Sequence, residues 1–233
     1  MPREPRALVR EGGYLDADKY FVLSFEGTVT EKRYFEALRT SDKFNDSGLI
    51  EMIPFVRKKS GPLGSDPMSV KSMLKKAKQD FNFKPTDEFW VIIDRDDWAD
   101  EHHINLEKLV ADCKAEKNFF VAMSNPCFEM WLILHRTELS SFTEDEKEEI
   151  RKNKRISNKK HYVDVVLEEL IGHPYTKRPK GDDYIPYVYD AITRAEEGHV
   201  EGSDLPQDLG SDVYMLVKKL VNPRDEGEKI KEE

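Results

Sequence analysis

The sequence predicts an α/β fold: a mainly parallel four-stranded sheet flanked by helices, followed by a helical C-terminal extension. Two observations carry this. Up to Ser124, short β-prone apolar runs alternate with segments of helical periodicity, and beyond Ser124 every apolar segment has the helical period. Strands alternating with helices imply right-handed crossovers and parallel pairing. A third observation sets the size: 233 residues, 38% of them hydrophobic, suffice for one sizeable core.

Residues 1–18 are rich in charge and glycine without sustained periodicity and read as a flexible N-terminal arm. The run 20–25 is a strand ending at Glu26-Gly27, and 30–39 is a helix with Tyr34, Phe35 and Leu38 on one stripe. Residues 49–55 offer a second strand, and 67–81 a lysine-rich helix whose Lys71, Lys75 and Lys78 form a stripe expected to face solvent. The third strand, 89–93, stops at an acidic cluster. Residues 106–116 form a helix with Leu106, Leu109, Val110 and Cys113 inward, and 119–123 a fourth strand. Helices follow over 127–135, 162–170, 187–197 and 212–221. The expected organisation is an arm (1–18), a core (19–124), a helical extension packed on it (125–224) and a charged tail (225–233).

The formal charge of -9, from 37 basic and 46 acidic residues, excludes a molecule basic over its whole surface, so any phosphate-binding surface must be local. Two cysteines, Cys113 and Cys127, fit neither a disulfide framework nor a four-ligand zinc site and favour a reducing compartment. No apolar run approaches bilayer length and the start is charged, so a cytoplasmic protein without membrane contact is expected. No phosphate-cradling glycine motif is present, and the His102-His103 pair has no second ligand set at zinc spacing.

The chemistry concentrates in acids at strand ends. Glu26 closes the first strand, and the segment VIIDRDDW (91–98) closes the third with Asp94, Asp96 and Asp97. Ligands of open parallel sheets bind outside the carboxyl ends of the strands. In extended backbone Asp94 and Asp96 point the same way and Arg95 the other. Glu26, Asp94 and Asp96, with Asp97 beside them, are hard oxygen donors that suit Mg2+ or Mn2+ and leave coordination positions for a phosphate. The competing reading makes DRDD a polar turn with capping and surface roles.

Three segments, SFEGTVTEKRYF (24–35), VIIDRDDW (91–98) and SNPCFEMWLILH (124–135), resemble the RloB-like family, which belongs among the Toprim-like proteins. The resemblance spans residues 20–220. It departs at the family's NPST-like segment, where this chain has LGSDVYMLVKKL. It implies a Toprim-like sheet in which Glu26 matches the family's glutamate and Asp94 and Asp96 its Asp-x-Asp pair, holding the divalent ion. Gly27, Glu31 and Tyr34 fall in the first motif, and Asn125, Glu129 and His135 in the third. It further implies metal-dependent cleavage of RNA, tRNA or DNA, a role in antiviral defence by abortive infection, and an ABC-type or AAA ATPase partner. A homo-oligomer stays open.

Glu129 has two readings: a second metal ligand or acid/base group, or part of a helix that Asn125 caps and Pro126 begins, with Phe128, Trp131, Leu132 and His135 as core. If buried, Glu129 needs a partner. The run 151–161 holds six cations, Arg151, Lys152, Lys154, Arg155, Lys159 and Lys160, the chain's best footprint for a nucleic-acid backbone. The preceding acidic run could instead pair with it along a helix. Lys160 or Tyr162 corresponds to a Lys/Tyr element of the resembled pattern, with Lys160 placed to steady transition-state charge. The leading expectation is a Toprim-type nuclease. The alternative is a noncatalytic nucleic-acid-binding or regulatory subunit of an ATPase-containing complex.

Overall fold

The computed structural model describes residues 19–27, 29–45, 48–53, 67–80, 83–95, 103–158 and 160–224. Its strands are β1 (Lys19–Phe25), β2 (Gly48–Ile53), β3 (Glu88–Asp94), β4 (Phe119–Asn125), β5 (Arg155–Ser157), β6 (Lys160–His161) and β7 (Gly210–Ser211). Its helices are α1 (Thr30–Arg39), α2 (Pro67–Asp80), α3 (His103–Ala115), α4 (Glu129–Arg136), α5 (Glu144–Lys152), α6 (Tyr162–Ile171), α7 (Gly181–Tyr184), α8 (Val188–Glu197) and α9 (Val213–Leu220). The expected arm and tail lie outside the described residues.

The main sheet has the order β2-β1-β3-β4-β7. Its first four strands are parallel, with Phe25 opposite Ile92 and Asp94 opposite Ser124, and only β7 runs antiparallel, against the end of β4. The α/β class and the mainly parallel sheet are as the sequence predicts. The fifth, two-residue strand is an addition, formed by the Gly-Ser of the LGSDVYMLVKKL stretch, and the Ser124 and Ser211 hydroxyls hydrogen-bond across it at 2.8 Å.

Alternation along the strands divides the core between two faces. Val22, Phe89, Val91 and Ile93 pack with Leu74 of α2 and with Leu106 and Leu109 of α3. Phe21, Leu23, Phe25, Trp90 and Ile92 pack with α1 and the helices of the second half, in one hydrophobic cluster running from β1 to α9. The centre of that layer is α4, buried from Glu129 through His135. A helix apolar on all sides needs neighbours on all sides, and β4, α6 and α8 supply them.

Two local expectations change. The lysine stripe of α2 faces solvent only in part: Lys75 is exposed and binds Glu116 at 2.8 Å, whereas Lys71 is buried with its ammonium 3.9 Å from Asp112 and Lys78 lies over the Phe89 and Phe119 rings. Helix α4 begins at Glu129, with no side-chain cap from its preceding Phe128. Asn125 does not cap it, because β4 runs on through Asn125 to pair with Gly210, and the Asn125 amide donates to the Asp208 carbonyl. The first two cations of the basic run, Arg151 and Lys152, end α5, and the rest follow in and around the short antiparallel pair β5-β6.

If α4 is the hub, Leu132→Ala, which opens a cavity at a fully buried position, lowers unfolding free energy by about 2–5 kcal/mol. Urea denaturation checks this: the midpoint falls while the m-value holds.

Candidate functional site

Glu26 and Asp94 meet at the carboxyl edge of two adjacent parallel strands. The Glu26 amide donates to the Ile92 carbonyl at 3.0 Å, extending the β1-β3 ladder by one bond. The Asp94 amide in turn donates to Glu26 Oε2 at 3.1 Å, so one carboxylate is fixed against the backbone of the other acid. Both side chains are half-buried. Asp96 and Asp97 lie outside the described residues, and among the described residues no group of three or more His, Cys, Asp and Glu forms a ready metal cluster. What the structure brings together is a pair of hard oxygen donors, a set that fits a divalent ion retaining most of its water.

Behind this pair lies a buried polar network. The turn after Glu26 is held by Glu31, whose Oε1 accepts the Gly27 amide at 2.9 Å. A Cβ at Gly27 would overlap the Glu31 carboxylate, so a larger residue there would displace it. Glu31 shares its surroundings with Glu129. Burial pushes the Glu31 carboxyl up to about 7, and the Glu129 charge pushes the same way. Burial also opposes ionisation of Glu129, but the Lys177 ammonium and hydrogen bonds from Lys177, Cys127 and Tyr175 outweigh it and hold Glu129 below the usual carboxylate range.

Lys177 reaches Glu129 Oε1 at 3.0 Å and Asp164 Oδ1 at 2.7 Å, and the Tyr175 hydroxyl donates to Glu129 Oε1 at 2.9 Å. The Lys177 carbonyl accepts from the Thr30 hydroxyl at 3.1 Å, tying this loop to the start of α1. Its backbone is left-handed, φ 58°, uncommon outside glycine and a frequent mark of a position held for its side chain. Lys177, Tyr175 and Asp164 are the residues that sequence reasoning missed. The one available signal was the expectation that a buried Glu129 needs a partner, which the structure meets.

The other sequence candidates fall in three places. Tyr34 and His135 are core: His135 Nδ1 lies 2.8 Å from the Trp131 carbonyl and Nε2 3.2 Å from the Tyr34 hydroxyl. A carbonyl only accepts, so Nδ1 carries the proton and Nε2 accepts from Tyr34. Burial pushes His135 down to about 3, leaving it neutral at physiological pH. Among the cations, Arg151 binds both Asp208 oxygens, at 2.7 and 2.9 Å, and Lys152 pairs with Glu148 and Glu149 within α5. Lys160 binds Glu168 at 2.6 Å, and Glu168 also accepts the Tyr175 amide at 2.7 Å, so the cation that reaches Glu129 is Lys177 and not Lys160. Lys154 and Arg155 are exposed beside the exposed Ile156; Lys159 lies outside the described residues. Tyr162 opens α6 and packs against the main cluster.

Two measurements test the network. Lys177→Met leaves Glu129 and Asp164 without their cation and costs about 2–3 kcal/mol, less than a fully buried pair because the lysine is partly exposed. Adding Glu129→Gln recovers part of the loss in a double-mutant cycle read by denaturant unfolding. For Glu31, the folded carboxyl sits above its unfolded value, so its contribution is complete below pH 4.5 and is lost as pH rises to about 7. Glu31→Gln keeps an acceptor for Gly27 and removes that dependence. The stability difference, variant minus wild type, should rise between pH 4.5 and 7, while the raised Asp212 carboxyl, at about 6, contributes equally to both proteins and cancels.

No curated protein and no solved structure matches the chain. The family model described as RloB-like protein matches residues 21–220, a span that takes in both strand-end acids, the buried network and the helical layer. On that match, which covers most of the 233 residues, the chain belongs to the RloB-like family.

Proposed function

We propose that this protein is a metal-dependent nuclease of the Toprim type that cleaves RNA or DNA phosphodiesters, with a role in antiviral defence by abortive infection alongside an ABC-type or AAA ATPase. The observation that carries the reading is the meeting of Glu26 and Asp94 at the carboxyl edge of neighbouring parallel strands, where open sheets bind their ligands. Family membership supports it through the Toprim-like motif, in which Glu26, Asp94 and Asp96 would hold Mg2+ or Mn2+.

The bound ion supplies neutralisation of phosphate charge and a water acidic enough to attack near neutral pH. The chain's own residues do the positioning. The Asp94 amide orients the Glu26 carboxylate, and the Gly27-Glu31 contact fixes the turn that carries it. Glu31, pushed towards neutrality by burial, adds little repulsion beside the acids. Lys154 and Arg155 on the β5-β6 hairpin carry exposed positive charge for a polynucleotide backbone.

Incubating the purified protein with labelled tRNA, single-stranded DNA and duplex DNA, in magnesium, manganese or EDTA, tests the reading. Cleavage should require the metal and fall on the order of a hundredfold or more in Glu26→Gln and in Asp94→Asn, as loss of several kcal/mol of metal-centred stabilisation implies. Nucleic-acid binding with no cleavage, even with an ATPase partner added, would replace this reading with a noncatalytic regulatory subunit.

A further inference from the structure

Beside the acidic edge, on the other side of β3, a cavity of about 680 Å3 lies between α3 and the 202–207 loop. Leu106, Val110 and Ala111 of α3 and Leu205 of the loop give it apolar surface. Its polar contributors include Arg95 and Gln207. Of the remaining charges, Lys114 and Asp204 bind one another and Glu107 adds a carboxylate, so the cavity is not a cationic anion trap and suits the base and sugar rather than the phosphate. Its volume lies within the range of small-molecule sites.

Arg95 distinguishes this cavity from an ordinary surface hollow. Its amide donates to the Ser124 and Pro126 carbonyls, both at 3.0 Å. Its guanidinium donates through Nη1 to the Pro206 carbonyl at 2.5 Å and to that of Gln207 at 3.4 Å. The side chain is therefore held at both ends, and its planar group is fixed at the cavity wall with donors to spare from its five N–H groups. A pinned guanidinium and an apolar helix face are the surfaces on which nucleobases stack. Gln207 commits its amide NH2 to the Ser203 hydroxyl at 3.1 Å and the Leu205 carbonyl at 3.3 Å, which leaves its amide oxygen as an acceptor for a base N–H. Arg95 also follows Asp94 directly, so their Cα atoms are about 3.8 Å apart.

We infer that this cavity is a nucleotide subsite, taking the base and sugar of the residue next to the phosphate that a divalent ion at Glu26 and Asp94 would hold. The inference rests on the phosphodiester reading for its choice of ligand. The occupant is a nucleotide unit, either free or within a strand.

The test uses the full chain in EDTA, so that the base and sugar contacts of the cavity are read apart from hydrolysis and from phosphate coordination through an ion. AMP, CMP, GMP, UMP, their deoxy forms and short oligonucleotides are titrated by calorimetry. Saturable binding of at least one mononucleotide is expected, weakened about tenfold or more by Ala111→Trp, which fills the slot from an exposed helix position, and by Arg95→Lys, which keeps the charge but loses the stacking plane. Circular dichroism and thermal melting confirm that each variant is folded; if Ala111→Trp is not, Gln207→Ala replaces it. Binding of oligonucleotides alone, still blocked by the variants, supports the subsite with a strand as its source. No saturable binding of any of these, or binding indifferent to the variants, overturns the inference even if the wild type cleaves nucleic acid. Mononucleotide binding blocked by the variants upholds it even if nothing is cleaved, in which case the nuclease reading alone fails.

Discussion

The structure is organised around one buried carboxylate. Glu129 sits at the first position of a helix whose side chains are buried from Glu129 through His135, and transferring its charge out of water without compensation would cost several kcal/mol. Lys177 compensates it from a loop nearly fifty positions away, Tyr175 adds a hydrogen bond, and the same ammonium engages Asp164 on α6. Because the Lys177 carbonyl also accepts from Thr30, one charge requirement fixes α4, α6, the 173–180 loop and the start of α1 relative to one another. Apolar packing brings these elements together, and the ion-pair geometry selects the arrangement.

That network also has consequences for the acidic edge. Three buried carboxylates, Glu31, Glu129 and Asp164, surround a single lysine. Glu31 lacks a direct cation contact among the described residues, and burial, with the Glu129 charge beside it, pushes its carboxyl up to about 7. It can still accept the Gly27 amide through its carbonyl oxygen. The turn bearing Glu26 is thus braced by a carboxyl that is only partly ionised near neutral pH.

What the sequence made legible follows from which signals are local. Strands β1, β3 and β4 carry unbroken apolar runs because both faces of a parallel sheet are covered, and Glu26 and Asp94 were readable as the residues at which those runs stop. The need of Glu129 for a partner was readable from its position between Phe128 and Trp131. The partner was not, since Lys177 sits in an aperiodic stretch punctuated by glycine and proline, and nothing local separates it from Lys180 or Arg178. Strand β7 escaped because two residues have no periodicity, and the inward turn of Lys71 and Lys78 because long side chains read as solvent-facing until a neighbouring helix and aromatic rings are placed beside them. Asn125 and Pro126 read as a cap by residue type, whereas pairing of Asn125 with Gly210 keeps that stretch in the sheet.

Charge in the basic run shows how far composition can mislead about binding. Six cations in eleven residues look like a polynucleotide footprint, yet Arg151 clamps Asp208, Lys152 pairs along α5 and Lys160 braces Glu168, so much of that charge is spent on the fold. Among the described residues of the run, Lys154 and Arg155 carry the exposed remainder. Each phosphate neutralised contributes about one unit to the salt dependence of binding, so two such contacts on a chain of net charge -9 give a weak grip with a shallow salt dependence. On the proposed reading, useful affinity for a polynucleotide would come mainly from short-range contacts: phosphate coordination through an ion that the acidic edge would hold, stacking against a fixed plane such as Arg95, or the surface of a partner. On that reading recognition and chemistry would share the same strand ends, and the backbone contacts would serve mainly to orient what those strand ends hold.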